Sequence, residues 1–237
     1  MIPSLIVPTL SNTTGLIRLL ESITVPVNNL VIVDNGRRWP RQGPLPEEKL
    51  HAALATCRPA LVSILPMAAN LGVAGSWNIG IKSTPYSSWW LIASDDVVFN
   101  DNLPDFCKAA AVNDMTIVED NFSAFAVSER VIARIGLFDE GMHPAYWEDN
   151  EYARRMEAAG LKRTSFQRIL AARSTSQTLK TCRNTNHFTF EANRARFLHN
   201  NPDPGPAEGW RLVRRRALGW DPPDQETTGD SRSAPDK

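Results

Sequence analysis

Two adjacent carboxylates, Asp95 and Asp96, follow the apolar run Trp89-Trp90-Leu91-Ile92-Ala93 with only Ser94 between. A short apolar run bounded by polar residues fits a strand buried on both faces of a sheet. Ionised groups beside such a strand repel each other and lose hydration unless something positive compensates. Ligands of open α/β sheets sit outside the carboxyl ends of the strands. The pair therefore points to a divalent cation that itself holds a phosphorylated ligand. A second acidic pair, Glu148-Asp149, opens a segment in which Tyr152, Met156 and Ala159 share a helical face that Gly160 ends. It stands where the helix dipole favours ionised carboxylates, as a chemical pair or simply as first-turn acids. The run Asn70 to Gly80, with Gly72, Gly75 and Gly80, permits close backbone approach at a helix start. Such a start suits a phosphate or ribose, and equally a tight helix–strand contact.

These groups need a scaffold, and the pattern is α/β. Leu5 to Val7 reads as a first strand ending at Pro8-Thr9, with N-cap candidates from Ser11 to Thr14. Leu16, Leu19, Leu20 and Ile23 recur at helical spacing, and Leu30 to Val33 forms a second strand stopped by Asp34-Asn35-Gly36. A short helix is expected near Glu47–Ala55, a third strand over Leu61–Leu65 and a helix over Val73–Lys82. Beyond the central strand come a helix over Asn102–Val112, a strand over Ser123–Val127, and a helix over Glu129–Ile135 capped by Ser128. A returning strand over Thr164–Ala172 and a helix over His187–His199 complete the pattern. A domain over 1–201 is expected, followed by a Pro- and charge-rich extension over 202–237. That extension holds a basic helix near 209–219 and a disordered tail. The segment 209–220 reads either as a helix docked on the domain through Trp210 or as a peripheral membrane or partner contact.

The 237 residues balance 26 basic against 26 acidic side chains, so no global field selects nucleic acid or an acidic surface. Cys57, Cys107 and Cys182 are widely spaced, outside metal-ligand patterns, and read as reduced thiols. No apolar run approaches a membrane span, and Pro3 and Pro8 interrupt any secretory signal. A cytoplasmic setting is the expectation.

Taken together, Val7-Pro8-Thr9, Val31 to Gly36, Asn70-Leu71-Gly72 with Gly75, Asn78 and Gly80, Ser94-Asp95-Asp96, and Gly136 to Asp149 resemble the family 2 glycosyltransferases of GT-A fold, particularly rhamnosyltransferase-like members. The resemblance spans roughly residues 1–200. It implies a Rossmann-like nucleotide-binding sandwich with a mostly parallel central sheet and helices on both faces. It further implies a nucleoside-diphosphate sugar donor, Mn²⁺ or Mg²⁺, and inverting transfer of a hexose or deoxyhexose. Pro8, Thr9 and Asp34 would line the nucleoside pocket, while Asn70, Gly75 and Asn78 would shape its wall near ribose and diphosphate. Asp95 would face the ribose or support the metal that Asp96 ligates. Asp149 would take the proton from the acceptor hydroxyl, with Glu148 its neighbour. The acceptor is left open: a glycan, a protein or a modified nucleobase.

Two departures from the family pattern stand out. Ser94 occupies a place where many members carry an acid. Strand alternation would point it the same way as Asp96, and a hydroxyl is a poor ligand for a hard cation. The downstream histidine that many members carry is replaced by Ala172 to Ser176; Arg173 could pair with phosphate instead, while His187 reads either as folding back to that place or as a structural histidine beside aromatic residues. These departures keep a second reading open, a non-catalytic sugar-nucleotide or glycan-binding module on the same fold. A nucleotidyltransferase is disfavoured because Pro8-Thr9-Leu10-Ser11 lacks the glycine and arginine of its usual loop.

Overall fold

The computed structural model describes residues 1–36, 47–119, 121–173, 183–199 and 210. Seven strands form one sheet, β1 (Ile2–Thr9), β2 (Val27–Asp34), β3 (Leu61–Pro66), β4 (Trp89–Ala93), β6 (Met115–Val118), β7 (Asn121–Ser128) and β8 (Arg163–Phe166), in the order β3-β2-β1-β4-β7-β6-β8. Only β7 runs against its neighbours. Two short strands, β5 (Val97–Phe99) and β9 (Leu170–Arg173), pair antiparallel beside it.

Helices cover both faces. Alternate residues of the central strands feed two cores, Leu5, Val7, Leu91 and Ala93 on one side and Ile6, Trp90 and Ile92 on the other. The first core takes in α1 (Thr13–Glu21), α2 (Glu47–Cys57) and α4 (Leu103–Ala110). The second takes in α3 (Gly72–Ser83), α5 (Glu129–Ile135) and α6 (Glu148–Ala158). This is why β4 is buried at every position and reads as an unbroken apolar run. Gly80 lets α3 lie directly on β1, since a Cβ there would collide with the Ile6 side chain. A last helix, α7 (Arg183–His199), packs against the segment that precedes α6.

The expected α/β sandwich is present, and three local readings change. Strand β4 ends at Ala93 where the apolar run ends, but Ser94–Asp96 do not continue it as extended chain and instead turn into β5. The alternation expected to align Ser94 with Asp96 therefore does not apply. The single strand over Thr164–Ala172 is two, broken around Arg168, whose φ is +60°. Strand β6 carried no distinct pattern and was not expected. Cys57 and Cys107 are buried free thiols. Cys182, the segment 174–176, the side chains of Arg173 and His187, and the 209–219 helix apart from Trp210 lie outside the described residues. Trp210 is buried, edge-on to Trp90 at 5.6 Å between ring centroids. No described helix is long and apolar enough to cross a membrane.

Candidate functional site

The carboxyl ends of β2, β1 and β4 lie side by side and bring the first set of expected residues together. Thr9 and Asp34 are register partners at the ends of β1 and β2, with Pro8 one residue earlier. Thr9 Oγ1 donates to Asp95 Oδ2 at 2.7 Å, and Asn12 Nδ2 donates to Asp95 Oδ1 at 3.1 Å. Asn12 is also the N-cap of α1, accepting from the Gly15 amide at 3.1 Å. Gly15 has to lack a side chain because a Cβ would run into the Asp95 carbonyl oxygen. Helix α1 is thus fastened to the acidic turn by its own cap. Asp95 is 9% exposed, and burial is the main force raising its pKa to about 6. The hydrogen bonds from Thr9 and Asn12 oppose that rise, and the charge of Asp96 adds to it. Asp34 accepts from the Gly36 amide at 2.9 Å, an Asx turn that closes β2.

The second set sits on α3, at the same rim. Asn35 reaches across from the end of β2, donating to Ser76 Oγ at 2.8 Å and accepting from the Leu71 amide at 3.0 Å. Asn70 Oδ1 accepts from the Gly72 amide at 2.9 Å. Gly75 is buried inside the first turns of α3, against Leu71. Asn78 is 1% exposed and its amide is fully used: it donates to Phe138 O and Glu140 Oε1, both at 2.9 Å, and accepts from the Phe138 amide at 3.0 Å. Its contact is with the segment leading to α6. The same segment touches the start of α3 where the Val73 amide donates to Pro144 O at 2.7 Å. His143 Nε2 lies 3.1 Å from Asn70 O. Gly72, at φ +72°, packs directly under Pro144, where a side chain would not fit.

That segment delivers the third set, Glu148 and Asp149, to the first turn of α6. The residue before the helix, Trp147, is left-handed at φ +73° and supplies no side-chain cap. Helix α6 is anchored by Tyr152 Oη donating to Gly136 O at 2.9 Å and by a buried Arg155–Glu151 pair at 2.6 Å. The Arg155 guanidinium also donates to the carbonyls of Ile135 and Leu137. The two acids face different surroundings. Glu148 is 7% exposed, its Oε2 has no hydrogen-bond partner, and burial raises its pKa to about 8, with the Asp149 charge adding to the rise. Asp149 is half-buried, its Oδ1 accepting from the amide and side chain of Asn150 at 2.8 and 3.0 Å. Among the described residues no hydrogen bond joins this acidic pair to Asp95 or Asp96.

Asn12, Asn35, Ser76 and Asn193 were not singled out from sequence as site residues. Asn12 stood there as one of several cap candidates before α1, Asn35 in the stop after the second strand and Ser76 inside the run Asn70 to Gly80, while Asn193 was only a position of the expected helix over His187–His199.

Among the described residues no three His, Cys, Asp or Glu side chains are grouped to hold a metal. Asp95 has both oxygens engaged by Thr9 and Asn12, whereas half-buried Asp96 forms no side-chain hydrogen bond among the described residues and is the carboxylate open to a ligand. One or two carboxylates completed by phosphate oxygens and water is a donor set that hard divalent cations accept.

No protein-family model matches the chain. A 45-residue stretch, 19% of the chain, is 44% identical to a galactofuranosyl glycosyltransferase of Leishmania donovani; it spans 10% of that protein's length. Among solved structures, the chain is similar to the mannosyltransferase PcManGT from Pyrobaculum calidifontis in complex with GDP-Man and Mn²⁺. The TM-score is 0.62 at 12% identity, over 92% of this chain and 69% of that one. It is also similar to Staphylococcus aureus TarS residues 1–349 in complex with UDP-GlcNAc, with TM-score 0.55 at 12% identity over 92% and 72% of the two chains. The chain has the GT-A glycosyltransferase fold.

Proposed function

We propose that the protein transfers a sugar from a nucleoside-diphosphate sugar to a hydroxyl acceptor, with a divalent cation and inversion at the anomeric carbon. The observation that carries this reading is the convergence of Thr9, Asp34 and the Asp95-Asp96 turn on the carboxyl ends of three adjacent strands. Pro8, Thr9 and Asp34 line the nucleoside pocket, and Asn70 at the start of α3 lies beside it. Gly75 and Asn78 shape it from behind, by packing α3 and holding residues 138–140. Asp95 fixes the turn, and Asp96 holds Mn²⁺ or Mg²⁺ together with the diphosphate of the donor. Bound there, such a cation supplies Lewis-acid neutralisation of the charge that gathers on the leaving diphosphate.

Asp149 accepts the proton of the attacking hydroxyl. Glu148, with its pKa near 8, keeps its own proton at neutral pH and leaves that task to its neighbour. The complexes named for the mannosyltransferase and TarS, with GDP-Man and UDP-GlcNAc, support the donor class. The Leishmania relative and the same two structures support a glycosyltransferase activity.

A second reading, a non-catalytic module that binds sugar nucleotide, draws on one observation: Asp96 is the single open carboxylate of the turn. Turnover separates the two. With Mn²⁺ and a panel of UDP- and GDP-sugars, release of nucleoside diphosphate is expected from the wild type. Asp149→Asn is expected to slow it by about 10²–10⁴-fold with donor binding intact. Equal rates in the two proteins would remove Asp149 from the role, and binding without release would favour the module.

A further inference from the structure

The turn that presents Asp149 is held in an unfavourable backbone conformation by a residue of α7. Tyr146 and Trp147 are consecutive, neither is glycine, and both are left-handed, at φ +77° and +73°. L-residues with bulky side chains seldom adopt this conformation, so surrounding contacts must over-determine it. The contacts come from a helix that starts more than thirty residues downstream. Asn193, 4% exposed, donates through Nδ2 to Ala145 O at 2.8 Å and to Tyr146 O at 3.2 Å. Phe190 meets the rings of Tyr146 and Trp147 at 5.8 and 5.3 Å, and Phe197 meets Trp147 at 5.0 Å. Arg196 grips Asp139 through two bonds of 3.0 and 3.1 Å at the other end of the same segment. Trp147 O then accepts the first hydrogen bond of α6, from the Glu151 amide at 2.9 Å. The direction of the helix start therefore follows from the turn.

We propose that Asn193 is a positioning residue. By donating to both carbonyls, it fixes the left-handed turn and thereby the aim of Asp149, with no contact of its own to donor or acceptor. The catalytic half of this proposal rests on Asp149 being the proton acceptor, while the structural half does not. Aromatic packing supplies no hydrogen-bond donor to these two carbonyl oxygens, and the Asn193 amide donates to both. An acceptor or an apolar side chain at 193 removes what holds them, even where shape is kept.

Two variants test the donation, Asn193→Leu, which removes the amide, and Asn193→Asp, which keeps the outline and turns a carboxylate towards two carbonyls. Amide hydrogen exchange over residues 143–155 is expected to accelerate in both, while residues 1–36 and 72–93 keep wild-type rates. In nucleoside diphosphate release with Mn²⁺ and UDP- or GDP-hexoses, kcat should fall by up to about 10²-fold with donor KM unchanged. Adding Tyr146→Gly, which removes the steric penalty of the left-handed backbone, should restore slow exchange and part of kcat. Wild-type exchange over 143–155 in both variants would overturn the proposal, as would loosening of that segment with kcat untouched. Asp149→Asn, measured alongside, isolates the base assignment: full release by that variant would overturn the assignment without altering the exchange result.

Discussion

Within the acidic pair on α6, sequence treats two neighbours alike and the fold does not. Glu148 is buried with one oxygen unpartnered, while Asp149 keeps partial access to solvent and a local bond to Asn150. The burial of Glu148 has a thermodynamic consequence. Its pKa rises from 4.5 in the unfolded chain to about 8 in the folded one, so between these values the native state holds a proton that the unfolded state has released. Stability from this group is complete below about 4.5 and is lost as pH rises through about 8. Glu148→Gln stays neutral throughout, so its stability relative to wild type should climb by a few kcal/mol between about pH 5 and pH 9. Denaturant unfolding of the two proteins across that range checks it. A constant difference would mean that Glu148 is ionised in the native protein at neutral pH. Asp95 shifts in the same sense, but its effect is common to both proteins and cancels in the comparison.

At the scale of elements, α3 is where sequence and structure meet most closely. Its glycines read equally as phosphate contacts or as packing. Gly80 proves to be packing, since its missing side chain is what admits Ile6 of β1. Gly80→Ala should therefore destabilise the fold by about 1–3 kcal/mol, read as a lowered urea midpoint. An unchanged midpoint would show that α3 can shift away from the sheet at little cost. Strands β1 and β2 were legible as short apolar runs because both of their faces are buried, and α1 because burial recurs with each turn at Leu16, Leu19 and Leu20. The turn at Ser94–Asp96 was hidden because apolar residues continue on both sides of it and no glycine or proline marks it. The break around Arg168 was hidden for the same reason. The start of α6 gave no cap signal because Trp147 holds that place by tertiary contacts. Asn78 and Asn193 find their partners 60 and 48 residues away, and nothing local in a sequence records such a pairing.

On the scale of the whole molecule, the sheet order places β1 between β2 and β4, and Pro8, Thr9, Asp34 and the Asp95-Asp96 turn gather at that carboxyl-terminal rim. Helix α1 is tied to it through Asn12, α3 through Asn35, and α6 through the segment that Asn78 and Asn193 hold from opposite ends. A GT-A fold by itself leaves donor, acceptor and activity open. In this chain the Ser94–Asp96 turn commits the Asp95 carboxylate to structure and leaves half-buried Asp96 without a side-chain hydrogen bond among the described residues.

The most direct test of that account is coupling between cation and nucleotide: a cation held by Asp96 against the diphosphate attracts it, so each ligand strengthens the other's binding by the same factor. Melting temperatures would be measured with Mn²⁺ alone, with UDP or GDP alone, and with both together, for the wild type and for Asp96→Asn. The wild type should show a rise with both ligands that exceeds the sum of the separate rises, and Asp96→Asn should lose that excess. Additive rises in the wild type, or an excess that survives in Asp96→Asn, would contradict a cation held by Asp96 against a diphosphate.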